Sequence, residues 1–241
     1  MNDKTILDVP CQCGSGKPLG ECHGKQPTVE VAPPAVTRKL DLACGQTPCE
    51  GFEGVDVFPG AQHVVDLQKF PWPFADNSIA ELHCSHYIEH IPARPVDERD
   101  LPRDPYLANH SPAAAARQAA YAAAMTGKDH LFAFFDECYR ILEPDGWLTV
   151  QVPAHCSDRA FQDPTHRRFI TVQTFGYMNY EWRKMNRLDH YNVDCHFISN
   201  VVPIIPQELG LRAQEYVNRV IVSEWNRVID WRAKLQKKAR P

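Results

Sequence analysis

From Arg38 onward, short apolar runs alternate with polar or glycine-containing turns: KLDLACG, FEGVDVF, QHVVDL and IAELHCS. Runs of that length, bounded by turns, predict buried strands of the parallel type. Residues 129–142 place Leu131, Phe134, Phe135, Cys138, Ile141 and Leu142 at helical spacing; Glu143-Pro-Asp-Gly and WLTVQVP then predict a tight turn and a further strand. Beyond Pro153, HRRFITVQTFGYMNYEW reads as loop with short helix, and CHFISNVVPII as a strand. In the tail, Val217, Val220, Ile221, Trp225, Val228, Ile229 and Leu235 keep a three-and-four spacing. That spacing predicts a long amphipathic helix over about 212–238, with the basic KLQKKAR suited to a helix C-terminus. Strands interleaved with longer, helical connections predict an α/β fold: a Rossmann-like, doubly wound, mostly parallel sheet.

Two segments stand apart from this pattern. Residues 92–127 interrupt it with a Pro- and charge-rich stretch, then Ser111-Pro-AAAARQAAYAAAM and Gly127, which predict a helix with an N-cap serine, a first-turn proline and a terminating glycine. An insertion of this length beside a ligand cleft reads as a lid, or else as a decoration packed on the sheet edge. At the other end, residues 1–24 are rich in cysteine, and residues 25–37 (KQPTVEVAPPAVT) are aperiodic and read as a linker to a domain spanning 38–241.

The chain has 241 residues, 44% of them hydrophobic and 23% charged, which excludes disorder throughout. No apolar run is long enough for a membrane helix, the N-terminus lacks signal-peptide architecture, and the expected location is cytoplasmic. A net charge of -4 provides no general footprint for nucleic acid. Nine cysteines, an odd number mostly without close pairs, argue against a disulfide framework.

Three of those cysteines cluster. Cys11 and Cys13 flank one residue, Cys22 and His23 are adjacent, and the Gly-Ser-Gly-Lys-Pro-Leu-Gly stretch between them supplies a chain reversal. Zinc takes four thiolate or imidazole ligands, and a segment this short needs such a staple to fold. The string CQCGSGKPLGECHG closely resembles the SEC-C metal-binding motif, best known at the C-terminal end of the translocase ATPase SecA. The resemblance implies structural zinc held by Cys11, Cys13, Cys22 and His23, in a knuckle that docks a protein partner rather than performing chemistry. A phosphate loop is not satisfied, because Pro18 follows Lys17.

In the strand region, Asp41 and Gly45 lie in and after the first run, and the second and third end at Asp56 and at Asp66-Leu67. An acidic residue at a strand end suits ribose hydroxyls, whereas the first turn, ACGQTPCEG, lacks the glycine pattern that cradles a pyrophosphate. S-adenosylmethionine, which has no phosphate, suits it better. KLDLACG, GVDV, VVDLQKFPWPFADNSIAELHCSHYIEHI and CYRILEPDGWLTVQVP resemble the successive motifs of class I S-adenosylmethionine-dependent methyltransferases, over roughly residues 38–153. By position, the resemblance implies that Asp41, Ala43, Cys44 and Gly45 face the methionine portion. It places Asp56 and Val57 at the ribose, Asp66 and Leu67 at the adenine, and Cys84, Ser85 and His86 as the closing wall. The first motif has Cys44 where many members carry a second glycine.

Methyl transfer needs an acceptor held in line and shielded from water, with an optional general base. His90, Glu89 and His166 are the candidate bases; Asp163-Pro-Thr-His-Arg-Arg-Phe resembles a segment after the core of related methyltransferases, expected on the acceptor side. His86-Tyr-Ile-Glu-His90 also satisfies the inverted zinc-protease pattern H-x-x-E-H, without an evident third ligand. Cys84-Ser-His-Tyr differs from the string of amino-methylating DNA enzymes, which leaves a protein, sugar or small metabolite as acceptor. The rival expectation is a non-catalytic adaptor that docks through the knuckle and keeps a degenerate cofactor pocket.

Overall fold

The four apolar runs become strands of one sheet, the third of them a short, partly exposed edge. The computed structural model describes residues 37–101 and 111–241; the cysteine-rich segment with Cys11, Cys13, Cys22 and His23, and residues 102–110, lie outside the described residues. Strands β1 (Lys39–Leu42), β2 (Glu53–Asp56), β3 (His63–Val64) and β4 (Ile79–Ser85) pair in parallel, and β4 continues in parallel to β5 (Leu142–Pro153). Leu40, Leu42, Val55, Leu82, Cys84, Leu148 and Val150 are fully buried in this sheet. The sheet has seven strands in the order β3-β2-β1-β4-β5-β7-β6, with β7 antiparallel to both of its neighbours. This is the doubly wound, mostly parallel α/β architecture expected from the sequence.

The tail departs from expectation. A helix over Gln214–Ser223 stops early, Asn226 takes a left-handed φ of 61°, and Asp230–Lys237 forms β7. It inserts between β5 and β6 (Phe197–Ile204), where Ala233 pairs with both Val150 and Val201. Within Ala233–Lys237 the buried positions alternate, a period of two that outweighs the helical spacing when two strands offer unpaired edges. The basic end therefore caps no helix. Lys237 is buried, and its Nζ donates to Asn77 Oδ1 at 2.7 Å and to the carbonyls of Tyr139 and Leu142 at 2.6 and 2.7 Å.

Helices cover the faces. α1 (Pro112–Met125) lies within the insertion and is mostly exposed alanine; it meets the body through Tyr121, Ala122 and Met125. Ser111 makes no side-chain cap, contrary to the sequence expectation. The preceding part of the insertion is anchored, with Val96 and Leu101 buried and Asp100 ion-paired to Arg94 at 2.7 Å. α2 (His130–Ile141) is capped by Asp129, whose carboxylate accepts from the Leu131 amide at 2.9 Å. Its apolar face drives Phe134 into an edge-on contact with Trp72, 5.4 Å between centroids. On the same helix the buried Glu137 accepts from the Trp72 amide, Tyr121 Oη and Arg140, and Arg140 in turn donates to the carbonyls of Trp72 and Phe74. That network fixes the loop between β3 and β4.

A second ionic cluster ties α2 to the segment before β6. Lys128 is fully buried between Asp136 and Asp194, the latter at 2.8 Å, and Asp136 Oδ1 accepts from the amides of Asp194 and Cys195. Burial opposes the Lys128 charge, but the two carboxylates outweigh it and raise its pKa. Lys128→Met strands the Asp136 carboxylate without its counter-charge. We expect it to cost about 3–5 kcal/mol in chemical denaturation; a loss below about 1 kcal/mol would show that the cluster is not structural.

Candidate functional site

Strand order reverses around β1, which lies between β2 and β4, and in open parallel sheets such a switch point opens a crevice beyond the carboxyl ends of the strands. A cavity of about 220 Å³ lies there, lined by Ala43, Asp56, Val57, Val65, Asp66, Leu67, Gln68 and Tyr87. Five residues expected from sequence, Ala43, Asp56, Val57, Asp66 and Leu67, thus converge on one cleft. Ala43 adopts a left-handed φ of 57°, which turns the chain sharply away at the end of β1.

Asp56 organises the mouth of this cleft. Its Oδ2 accepts from the Gly45 amide at 2.9 Å and its Oδ1 from the Phe58 amide at 3.0 Å, so one carboxylate ties the β1–β2 loop to the end of β2. Each oxygen keeps a further lone pair for a ligand hydroxyl. The Gly45 amide, the one open donor of the first turn on sequence grounds, is therefore already committed to a carboxylate. Such a loop is a poor phosphate cradle. Tyr87, which the sequence reading passed over, lines the same cleft; burial and then the nearby acidic groups raise its pKa far above the ordinary value and keep it a neutral donor.

The remaining expected residues sit around the cleft without lining it. Asp41 is buried, and its carboxylate is spent on His83 Nδ1 at 2.7 Å and on the Cys49 amide at 2.8 Å. It anchors the β1–β2 loop on β4. Cys44 lies beside that loop, and a Cβ on Gly54 would come within 2.9 Å of its sulfur, which accounts for the glycine in GVDV. Burial and then Asp41 raise the thiol pKa of both Cys44 and Cys49, which suits neither as a nucleophile. Cys84 is fully buried inside β4, Ser85 is half-buried at the strand end, and His86, at φ 53°, begins the turn that follows.

On the β4 side of the crevice, the three candidate bases meet. Residues 88–90 form a single 3-10 turn, so His86 and His90 do not share the helix face that the protease pattern requires. Instead the chain after β5 returns: the amides of Arg167 and Arg168 donate to the Glu89 carbonyl at 2.7 and 3.1 Å. This brings His166 against His90, their rings 4.7 Å apart at 76°. Donor atoms of Glu89, His90 and His166 lie within 4.8 Å of one another.

Both histidines are held by their Nδ1 atoms. His166 Nδ1 meets the Ala160 carbonyl at 2.8 Å and must donate to it. His90 Nδ1 meets Thr165 Oγ1 at 2.9 Å; that hydroxyl gives its own proton to Asp163 Oδ1 at 2.7 Å, so the imidazole donates here too. In the neutral ring, Nε2 is then the atom that carries the free lone pair. The hydrogen bonds from the Thr165 hydroxyl and amide hold the Asp163 carboxyl below its usual range. Asp163-Pro-Thr165 was legible only as a segment; its supporting role comes from contacts across the fold.

A larger cavity of about 430 Å³ adjoins this cluster, lined by Lys128, Asp129, Phe132, Arg168, Tyr177 and Tyr191 among others. Arg168 links the two: its amide binds the Glu89 carbonyl, and its guanidinium bonds the Ile91 and Pro92 carbonyls and the Asp129 carboxylate. Of its lining, only Arg168 falls in the segment Asp163-Pro-Thr-His-Arg-Arg-Phe that the sequence placed on the acceptor side.

No family model matches the chain, and no curated protein matches it. Among solved structures it is similar to an S-adenosylmethionine-dependent methyltransferase from Archaeoglobus fulgidus, at 16% identity over 83% of this chain and 86% of that one, with a TM-score of 0.47. It is also similar to an S-adenosylmethionine-dependent methyltransferase from Mesorhizobium loti, at 12% identity over 85% of this chain and 94% of that one, with a TM-score of 0.42. Similarity of this order assigns no activity to the chain.

Proposed function

We propose that the chain is an S-adenosylmethionine-dependent methyltransferase. The observation that carries this reading is the convergence of Ala43, Asp56, Val57, Asp66 and Leu67 on one cleft at the switch point of the sheet. The residues fit the cofactor in chemical kind. Asp56 offers lone pairs to ribose hydroxyls, Leu67 and Val65 offer apolar contact to an adenine, and Asp66 offers an acceptor for its amino group. Asp41, Cys44, Gly45, Cys84, Ser85 and His86 then act behind the cleft, shaping its loop and floor.

When bound, S-adenosylmethionine supplies a methyl group already activated on a sulfonium. The chain's own task is to hold the acceptor and to exclude water. His90 and His166, each with an Nε2 lone pair, are positioned to take a proton from an acceptor hydroxyl or ammonium beyond the end of β4, and buried Glu89 sits beside them. The acceptor is a protein, sugar or small metabolite rather than a DNA base. Cys11, Cys13, Cys22 and His23 hold a structural zinc in a separate docking module joined by residues 25–37. No helix among the described residues is long and apolar enough to cross a membrane, and a cytoplasmic location accords with an odd number of cysteines, six of them without close pairs.

Titration calorimetry with S-adenosylhomocysteine is expected to show micromolar binding to the full chain. Asp56→Ala weakens it by at least about tenfold, the value of one charge-assisted hydrogen bond, while Asp56→Asn, whose single oxygen still accepts from one of the two loop amides, loses less. No heat at high micromolar concentration would leave the adaptor reading in place. In the same preparation Cys11→Ser with Cys22→Ser is expected to remove bound zinc, read by metal analysis, without changing cofactor affinity; a large loss of affinity would show that the knuckle is not a separate module.

A further inference from the structure

We infer that Glu89, His90 and His166 form a binding site for a divalent first-row transition metal, beyond the cofactor cleft and independent of it. Three features of the structure carry this. Their donor atoms lie within 4.8 Å of one another. The Glu89 side chain is only 2% exposed, yet neither carboxylate oxygen has a hydrogen-bond partner. Both imidazoles have Nδ1 committed to an acceptor, at Ala160 and at Thr165, which leaves Nε2 as the ring atom free to ligate a metal.

An ionised carboxylate buried without partners costs several kcal/mol unless a cation answers it. The nearest protein group is His86, whose Nδ1 lies 3.5 Å from Glu89 Oε1 while its Nε2 lies 3.5 Å from Asp230 Oδ2. Those separations are long for hydrogen bonds, and Asp230 is already paired with Arg159 at 3.1 Å. Two imidazoles and one carboxylate select manganese, iron, cobalt or zinc over magnesium or calcium, which prefer all-oxygen sites. Three protein ligands leave coordination positions open. With the metal bound, both Nε2 atoms would be ligands rather than bases, and an acceptor oxygen bound at an open position would instead be made more acidic by the metal, which would favour hydroxyl acceptors.

The other convergent set among the described residues is Asp41, Cys49 and His83. It is already bonded internally, with His83 Nδ1 at 2.7 Å from Asp41 and 3.3 Å from the Cys49 sulfur, so nothing there is left unanswered.

Cobalt(II) titration of the full chain, followed by absorption, separates this site from any that contains a thiolate. Cobalt held by nitrogen and oxygen shows only weak ligand-field bands, whereas thiolate ligation adds intense sulfur-to-metal charge transfer. The expected result is one cobalt taken up without charge transfer, unaffected by Cys11→Ser. Glu89→Gln, His90→Gln and His166→Gln each weaken it by more than about tenfold, the least that even supporting residues cost. Thr165→Ala removes an exposed hydroxyl that orients His90, and is expected to weaken cobalt by about tenfold in a fully folded protein. The inference is overturned if the parent takes up no such cobalt, or if Thr165→Ala and every folded ligand variant bind it unchanged, in which case His86 alone answers Glu89.

Discussion

The parallel pairing of β1 with both β2 and β4 is the constraint on which the rest of the molecule depends. It holds Leu40 and Leu42 fully buried between two neighbours and forces the connections from β1 and β4 to leave the same edge of the sheet in diverging directions. The crevice this opens receives the Asp56-lined cleft from β1 to β3 on one side and the Glu89 cluster from the end of β4 on the other. Neither could assemble from local sequence alone, because each draws on chain segments far apart in sequence. The His90–Thr165 bond, for example, spans 75 residues.

Carboxylates take over work that glycines or phosphate-binding amides do elsewhere. Asp56 gathers two loop amides, Asp41 holds the Cys49 amide and His83, and Glu137 holds the Trp72 amide together with Arg140. Each is an acceptor satisfied by the main chain around the crevice, so the loops are fixed before any ligand arrives. Preorganisation of this kind lowers the entropy lost on binding. Glu89 is the exception, a buried acceptor left unbonded, and for that reason it points to a cation.

Much of this was legible in the sequence where the signal was local. The strand end at Asp56, the helix over 130–141 and the trio Glu89, His90 and His166 all stand in runs whose own chemistry announces them, whereas the third strand stops at Val64, short of the expected end at Asp66-Leu67. The tail was not legible. Its apolar residues fit a helix as well as a strand, and only the open edges of β5 and β6 decide for β7. The same holds for Tyr87 and Arg168, which stand within motif segments without a role of their own and gain their places from the turn after β4 and from the chain that returns to the Glu89 carbonyl. Asp41 shows the converse: its position in a motif suggested ligand contact, but burial and His83 make it an anchor.

The central claim is that a methyl-donor cofactor occupies the crevice at the ends of β1, β2 and β3. Amide hydrogen exchange of the full chain with and without S-adenosylhomocysteine tests it most directly. The account predicts slowed exchange confined to the loop after Ala43, to Val57 and Phe58 after β2, and to Leu67 and Gln68 after β3. Protection centred instead on the cavity between Lys128 and Tyr191, or no protection anywhere in the chain, would contradict it.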